Sequence, residues 1–507
     1  MKKIKIFLLL LGLISISTIS CEDSLQETIY SELLTTNAYE TVEDAEVLVL
    51  GAYAGLNGSN SGWASYYQHN YIQLSELPTD YGQDVWSGGG DAYETGTWDS
   101  NQQFILDLWS GAYKVVGAAN FAMQTLEGMD IDEGIKAGFI GELKFLRALA
   151  YYDLTFNFKD VVLNIGESTG SLPVSPQAEV IAQILKDLAD AIAVLPSAGV
   201  YDGVGRATRE AAIGLRAKTH LNAKNWAEAA ADAKALIDLG TYDLFPAGSL
   251  VELYDDVNRS DNEWVFAIQS ETSASGATNT IPWFALAGTW QRSGWGNLTV
   301  STSFYKSFDL NDERRGLIAN GYQDSRKRTG PDGDRYYALP GTPEYDALAA
   351  DPAVDLRDLT SMPFIKYSGG HDRFASALGS ASGVNYPVLR YADVLLTRAE
   401  ALNETGNQAD AIDLVNEVRT RAGIANLAGL DQAALREAIL EERAKELFME
   451  GHRRLDLIRS GKYIEKWRAG LKAKYPGSDF GYLNEDKIYF PIPQVEVDAN
   501  DQINPGD

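Results

Sequence analysis

Apolar residues recur at helical spacing in the segment from residue 386 to residue 423. They stand at Tyr391, Leu395, Ala399 and Leu402, at steps of four, four and three. This spacing gives a helix one buried face. A polar turn at 403–407 contains Gly406 and two Asn residues, which end helices and turn the chain, and small and apolar residues then resume. The pattern predicts a hairpin of two antiparallel helices.

A second hairpin of the same kind is predicted at about 206–240. Arg216 and Ala217 align with Arg398 and Ala399 without a gap, and alanines recur at the start of the second helix in both segments. Small residues at these positions let two helices approach closely, as in tetratricopeptide repeats. Further helical patterns cover residues 139–160 and 435–459. The predicted fold class is therefore mainly α, a tetratricopeptide-repeat superhelix.

Two regions are predicted to consist largely of loops, at about 60–113 and 244–385, and both are rich in aromatic residues, Gly, Ser and Asp. Long irregular regions in compact proteins usually carry function. Aromatic side chains in loops have two common explanations. They pack beneath the loop, where each buries a large apolar area, or they expose a flat face that binds a ligand with apolar faces of its own. Both explanations remain open for these regions.

Eight residues are candidates for a ligand-binding platform. Trp86 stands beside a Ser-Gly-Gly-Gly run with few neighbours in sequence that could bury it, which makes it the first candidate for exposure. Trp109 and Tyr113, by contrast, fall in a helical pattern and are expected to be packed. The candidates are Trp86, Tyr93, Trp98, Trp283, Trp290, Gln291, Arg292 and Trp295.

The N-terminus has the layout of a secretory signal. Three lysines precede an apolar run at 6–16 that is too short to span a bilayer comfortably. Cys21, the only cysteine of the 507 residues, follows directly. A lone cysteine in this position predicts a lipoprotein whose mature N-terminal Cys21 is acylated. The alternative is ordinary secretion with an unpaired thiol.

Charge and motif content exclude several function classes. The net charge of −28 counts against nucleic-acid binding. The four histidines lie far apart, and neither a phosphate-binding glycine loop nor a nucleophile elbow is present. We therefore predict no enzyme activity, no catalytic residue and no metal or cofactor site. Two aspartates in the segment 330–336, GPDGDRY, leave a bound calcium ion open.

A group of charged residues near the C-terminus invites a catalytic interpretation. We interpret it instead as a set of ion pairs at helical spacing that ties its helix to neighbouring elements. The residues are Glu442, Arg443, Glu446, Glu450, Arg453 and Asp456.

Several segments follow one another in a characteristic order along the chain. They include NAYETVEDAEVLVLGAYAGL, GELKFLRALAYYDL, PVLRYADVLLTRAEALNETG, EERAKELFMEGHRRLDLIRSGKY and IYFPIP. In this order they resemble the SusD/RagB family of surface lipoproteins. The chain departs from the family's usual ending, since it closes with Asn504, Pro505, Gly506 and Asp507. The resemblance implies a signal peptide at 1–20 and a single domain at 21–507, with about four helix pairs supporting a loop-rich face.

The resemblance also implies a role. Family members hold an oligosaccharide or glycan fragment at the outer face of the outer membrane and pass it to a partner, a SusC-like TonB-dependent transporter. The two aromatic-rich regions are those that supply the family's sugar site. Sugar hydroxyls need polar partners, for which Asp91, Asn101 and Asn297 are further candidates.

An alternative function is a surface lipoprotein that binds a peptide or protein in the groove of its helical repeats. The position of the exposed tryptophans distinguishes the two. Tryptophans on the loop face favour a glycan, whereas tryptophans in the helical groove favour a peptide.

Overall fold

The computed structural model describes most of the chain beyond the N-terminal 38 residues. The described residues are 39–57, 66–85, 90–166, 170–200, 205–258, 261–271, 279–285, 296–318, 321–323, 335–337, 343, 346–347, 350, 361–367 and 382–503. Within them, no helix combines the length and the apolar character that crossing a membrane requires.

Helices dominate the described residues, as the sequence predicts. They are α1 (Val42–Asn57), α2 (Ile72–Glu76), α3 (Asp91–Thr95), α4 (Gln103–Glu127), α5 (Glu133–Phe158), α6 (Gln177–Val194), α7 (Arg209–Asn222), α8 (Trp226–Asp238), α9 (Ile281–Ala285), α10 (Thr302–Ser307), α11 (Tyr391–Glu404), α12 (Gln408–Arg421), α13 (Gln432–Leu447), α14 (Arg453–Arg459), α15 (Tyr463–Lys474) and α16 (Gln494–Ala499). A π-helix at Tyr66–Tyr71 precedes α2.

The described strands are short and form small antiparallel sheets. They are β1 (Gly82–Asp84), β2 (Val161–Val162), β3 (Val174–Ser175), β4 (Trp264–Ile268), β5 (Leu298–Ser301), β6 (Gly321–Gln323), β7 (Arg335–Tyr337), β8 (Ser361–Met362) and β9 (Tyr386–Arg390). Strand β5 lies between β1 and β8, while β2 pairs with β3, β4 with β9 and β6 with β7.

Consecutive helices pack into the predicted superhelix. The series runs from α4 through α5, α6, α7 and α8 to α11, and α11 then packs on both α12 and α13. Both predicted hairpins, α7–α8 and α11–α12, are confirmed, and Ala399 and Ala411 are fully buried where α11 meets α12. Helix α7 also packs closely on the β4–β9 sheet. A Cβ atom added to Gly214 of α7 would lie only 2.1 Å from Leu389 Cδ2 of β9.

Two predicted element boundaries are wrong. The first five residues of the 386–423 segment form strand β9, which pairs with β4 instead of starting a helix. The continuous helix expected over 435–458 is broken between α13 and α14. Met449 and Gly451 have φ of 57° and 82° there, and left-handed backbone ends a right-handed helix.

The charged residues near the C-terminus form ion pairs, as predicted. Arg314 Nη1 lies 2.7 Å from Glu442 Oε1, Arg443 Nε lies 2.9 Å from Asp456 Oδ2, and all four side chains are buried. Glu446 and Glu450 both contact Arg390 of β9. Since a buried charge is costly without a partner, these contacts lock α13 and α14 to the elements around them. The structural interpretation of the cluster is confirmed.

Candidate ligand-binding face

The antiparallel pairing of β1 with β5 brings the two aromatic-rich regions together. Asp84 pairs with Leu298, and the next residue, Val85, donates its backbone N–H to the carbonyl of Asn297 at 3.0 Å. Residues 86–89 continue directly from Val85, and residues 286–295 end directly before Gly296. The two segments are far apart in sequence, yet they attach to the sheet at neighbouring positions.

A second pair of segment ends meets at an isolated β-bridge between Asn279 and Ser382. The Asn279 side chain donates to Val384 O at 2.9 Å and accepts from Ile281 N at 2.9 Å, so it also fixes the start of α9. Ser382 Oγ donates to Tyr367 O at 2.8 Å, which joins the two ends of the segment 368–381. Residues next to the segments 86–89, 286–295 and 368–381 therefore take part in the short strands and the bridge.

A buried polar group supports the end of β1. The Glu94 carboxylate accepts from Asp84 N at 2.9 Å and from Tyr475 OH at 3.1 Å, and Lys474 Nζ lies 3.3 Å away. Burial raises the pKa of Glu94, which the charge of Lys474 partly opposes, and burial lowers the pKa of Lys474. Helix α15 is thereby clamped to the segment that leads into residues 86–89.

The π-helix Tyr66–Tyr71 packs against α9, and all six of its residues are buried. His69 Nδ1 lies 2.9 Å from Asn70 Oδ1, and its ring packs against Phe284 of α9 at 4.2 Å between centroids. Burial lowers the pKa of His69 to about 4, so the ring is neutral at neutral pH. The sequence analysis missed this element, although π-helices are often found at functional sites. Its signal is the run YYQHNY, which mixes aromatic and polar residues without a helical period.

Tyr93 and Trp98 are packed, so the expectation that their rings form an exposed platform is wrong. Tyr93 is 1% exposed and stacks on Phe104 at 5.0 Å between centroids, and its hydroxyl accepts from Phe104 N. Trp98 is 4% exposed and stacks on Trp467 at 5.5 Å. Both rings bury their faces against partners that the sequence does not reveal. Packing, the other explanation considered for loop aromatics, applies to these two residues.

The remaining candidates lie wholly or partly outside the described residues. Trp86, Trp290, Gln291, Arg292 and Trp295 belong to undescribed segments, and Trp283 lies in α9 with its side chain undescribed. Their role in binding stays a prediction.

The three further polar candidates differ in their burial. Asp91 and Asn101 are exposed, whereas Asn297 is 7% exposed and its Oδ1 has no hydrogen-bond partner among the described residues. Trp109 is buried in α4, and Tyr113 of the same helix packs against the core, as predicted.

The described residues contain no group of three or more His, Cys, Asp or Glu side chains that could hold a metal ion. Of the segment 330–336, only Arg335 and Tyr336 are described, in β7. The calcium hypothesis therefore stays untested.

Two family profiles match most of the chain between them. One, described as "SusD family", matches residues 262–506. The other, described as "Starch-binding associating with outer membrane", matches residues 27–221. Together they include the α11–α12 hairpin and all the strands of the β1–β5–β8 sheet, whereas α8 lies between the two matched ranges.

Similar proteins extend over nearly the full length. SusD-like protein P25 of Formosa agariphila is 27% identical over 96% of this chain and 95% of its own. Starch-binding protein SusD of Bacteroides thetaiotaomicron is 24% identical over 88% of this chain and 86% of its own.

The solved structures agree with these sequence matches. A SusD homolog from Bacteroides thetaiotaomicron has a TM-score of 0.77 at 26% identity and covers 93% of this chain and 97% of its own. Surface glycan-binding protein A from Bacteroides uniformis shares the fold, with a TM-score of 0.73 at 21% identity over 92% of this chain and 99% of its own. The chain belongs to the SusD/RagB family.

Proposed function

We propose that this protein binds a glycan or oligosaccharide at the cell surface and delivers it to a partner TonB-dependent outer-membrane transporter. The observation that carries the proposal is the hydrogen bond from Val85 N to Asn297 O, which joins the attachment points of two aromatic-rich segments. The proposed ligand-contacting residues are Trp86, Trp283, Trp290, Gln291, Arg292 and Trp295. The printed descriptions of the relatives, starch binding and surface glycan binding, support the same ligand class.

The chemistry of these residue types suits a sugar. Pyranose rings present C–H faces to aromatic planes, and each stacked contact contributes about 0.5–1.5 kcal/mol if it resembles an aromatic pair. Amide and guanidinium groups such as those of Gln291 and Arg292 complement the sugar hydroxyls. A few contacts of this size give micromolar to millimolar affinity, which lets a delivery protein release its cargo. The role is binding, and we assign no catalytic residue.

The binding role is tested by tryptophan fluorescence of a soluble form that starts at Glu22, titrated with plant, fungal, algal and host polysaccharides. We expect one glycan to give a saturable shift, and Trp86→Ala or Trp290→Ala to weaken its binding about three- to tenfold through loss of one stacked ring. Trp226→Phe, on the helical repeats, is the matched control and should bind normally. A folded protein that responds to no glycan, or whose binding survives both alanine substitutions, overturns this proposal. Release of reducing sugar by the purified protein would reverse the non-enzyme assignment.

Membrane attachment forms a separate part of the proposal. Residues 1–20 act as the signal peptide, and the acylated Cys21 anchors the single domain 21–507 in the outer membrane, facing outward. Several acyl chains, at about 0.8 kcal/mol per buried methylene, hold a protein to a bilayer almost permanently. Cys21→Ala should move the protein from the membrane fraction to the soluble fraction. Retention of this variant in the membrane would refute lipid anchoring while leaving the glycan proposal intact.

Delivery to the transporter has its own test. The full-length lipoprotein, extracted in mild detergent, should co-purify with a TonB-dependent transporter from the native outer membrane. Cells lacking the protein should take up the identified glycan more slowly. Normal uptake in such cells would leave the protein a glycan binder without a delivery role.

A further inference from the structure

Helix α1 is apolar on two opposite faces. The outer face consists of Val47, Leu50, Gly51 and Ala54, which recur at steps of three, one and three. Val47 is 63% exposed and Leu50 is 46% exposed, and the sequence 47–57 contains no charged residue. A helix that is apolar all round is normally buried, whereas a surface helix has a polar outer face. The opposite face packs on the core through Ala45, Leu48, Val49, Ala52 and Leu56.

The outer face leads into an apolar cavity at the C-terminal end of α1. The cavity measures about 340 Å³, and Leu50, Ala54 and Leu56 line one side of it. Phe266 and Ile268 of β4 line the other side. Because Leu50 belongs to both, the outer face and the cavity form one continuous apolar surface. Such a surface marks an interaction site more strongly than single exposed apolar residues do.

The chain itself contains a segment of matching character shortly before α1. Leu25, Ile29 and Leu33 recur at steps of four, the spacing of a helix with one apolar face. Tyr30 and Leu34 stand beside two of them and widen that face. The segment is therefore amphipathic when helical, and its apolar side is chemically complementary to the outer face of α1.

The sequence also marks where such a helix begins and ends. Ser24 is followed three residues later by Glu27, which has the form of a capping box at a helix start. The polar run Thr-Thr-Asn at 35–37 is typical of a turn. These signals favour a helix over residues 25–34.

The connection to α1 has the length of a helical hairpin. Residues 35–41 separate the two helices, and connections of about two to eight residues are common between antiparallel helices. Tyr39 packs on Phe121 at 6.5 Å between centroids, and the backbone N–H of Thr41 donates to Asp44 Oδ2 at 2.9 Å. Asp44 N donates in return to Thr41 Oγ1 at 3.2 Å, so the entry into α1 is fixed.

We propose that residues 25–34 form a helix that packs antiparallel on the outer face of α1 and places Leu25 at the cavity. Both helices rise about 1.5 Å per residue, so Ile29 comes level with Val47 and Leu25 with Gly51. Gly51 leaves room for the contact, because a Cβ atom added there would meet nothing within 4 Å. The occupant of this surface is thus a segment of the same chain.

The docked helix determines where the membrane anchor meets the domain. This consequence, unlike the docking itself, rests on the proposed acylation of Cys21. An extended chain from Cys21 to Tyr39 spans up to about 60 Å, whereas from Cys21 to Leu25 it spans up to about 14 Å, at about 3.4 Å per residue. Docking therefore shortens the tether and holds the cavity end of α1 close to the bilayer.

Thiol labelling of the soluble form that starts at Glu22 tests the docking without the lipid. This form contains no cysteine, so Leu50→Cys introduces a single thiol on the outer face, and Val47→Cys is a second reporter. Ile29→Asp with Leu33→Asp should release the helix and speed maleimide labelling of either thiol about tenfold, since a covered group reacts only through local opening.

Matched controls separate docking from added charge. Thr28→Asp with Ser31→Asp adds the same two charges on the polar side of the segment and should leave the labelling rate unchanged. Val495→Cys, 52% exposed on α16, should be labelled equally fast with all three forms of the segment.

A disulfide experiment tests the register of the two helices. Under mild oxidation, Leu25→Cys with Leu50→Cys should cross-link faster than Thr28→Cys with Leu50→Cys, because Leu25 faces the cavity and Thr28 faces solvent. Equal rates in the two pairs would refute the antiparallel register.

Four labelling results from a correctly folded protein would overturn the proposal. Fast labelling of Leu50→Cys with the unaltered segment would show that the outer face is uncovered. Slow labelling in all three forms would assign the cover to another part of the chain. Protection that is lost on dilution would assign it to a second copy, and protection that requires phosphatidylethanolamine vesicles would assign it to the bilayer.

Discussion

The indole rings of Trp98 and Trp467 lie parallel, 5.5 Å apart and inclined by only 8°. Trp98 comes from a loop-rich segment after α3, whereas Trp467 is in α15, near the C-terminus. Trp467 Nε1 also donates to Glu94 O at 2.8 Å. Helix α15 therefore packs against the segment around α3 and helps to fix its position.

Replacing Trp98 with Ala should destabilise the fold without a specific effect on ligand affinity. The substitution leaves a cavity against Trp467 and Phe490, and the truncation of a buried Trp costs about 3–5 kcal/mol. Chemical denaturation measures the loss, with Trp226→Ala at a half-buried position as the control. If Trp98→Ala were fully stable but unable to bind glycan, Trp98 would return to the list of ligand-contacting residues.

The ion pair between Lys474 and Glu94, next to the end of β1, should be sensitive to the loss of either partner. Lys474→Met leaves the Glu94 carboxylate buried without its cation, which costs about 3–5 kcal/mol. Glu94→Gln should cost less, because the amide oxygen can still accept from Asp84 N. We expect the double variant to be less destabilised than the sum of the two single variants, as measured by urea unfolding. Simple additivity would show that the two groups do not interact.

Lys474→Met should also affect ligand binding at the proposed glycan site. The Glu94 carboxylate fixes Asp84, and residues 86–89 follow one residue later in the chain. Lys474→Met should therefore weaken glycan binding at temperatures where the variant remains folded. Unchanged affinity in a measurably destabilised variant would show that the clamp supports the fold alone.

Local patterns in the sequence predict the helical hairpins because their signals lie within one turn of each other. Ala399 and Ala411 mark a close helix contact on the basis of size alone, and the structure buries both. The turn at Gly406 is equally local, because its φ of 89° is a conformation that glycine adopts readily. Charged residues at helical spacing were also correctly assigned to structure, since Glu442 and Arg443 find buried partners.

Contacts distant in sequence account for what could not be predicted. Composition and loop-like sequence make Tyr93 and Trp98 candidates for an exposed platform, but Phe104 and Trp467 stack on their rings. The pairing of Val85 with Asn297 is likewise invisible in sequence, because short strands carry little period and their partners are more than 200 residues apart.

Two buried carboxyl groups should make stability fall as the pH rises. Burial raises the pKa of Asp153 from 3.8 to about 7, and that of Glu76 from 4.5 to about 8. The folded state therefore holds protons that the unfolded state releases, so this contribution is complete below pH 4 and is lost as the pH rises to about 8. Asp153 accepts from Tyr66 OH at 2.8 Å, and Glu76 accepts from Gly451 N at 2.6 Å.

Neutral variants isolate this effect. Asp153→Asn should flatten the pH dependence of the unfolding free energy between pH 4 and pH 7, and Glu76→Gln should do so between pH 4.5 and pH 8. Glu450→Gln is a contrasting variant, because arginine and lysine neighbours hold the pKa of Glu450 at about 2 despite its burial. Its contribution is lost only when the pH falls from 4.5 towards 2. If Asp153→Asn and Glu76→Gln kept the wild-type dependence of the unfolding free energy on pH, the raised pKa values of these two carboxyl groups would be contradicted.

Gly451 should tolerate no side chain, because both backbone strain and a steric clash oppose one. Comparison with Gly477 distinguishes these two effects. At φ of 82° an L-residue costs about 1–2 kcal/mol in backbone strain. An added Cβ would also lie 2.4 Å from Tyr71 Cε1, in the buried contact that breaks the predicted helix between α13 and α14. Gly477 has φ of 89° with open space around it. Gly477→Ala should therefore show the backbone cost alone, and Gly451→Ala a clearly larger loss in urea unfolding. Equal losses would mean that Tyr71 and its neighbours move aside freely, and that the break depends on the backbone of 449–451 alone.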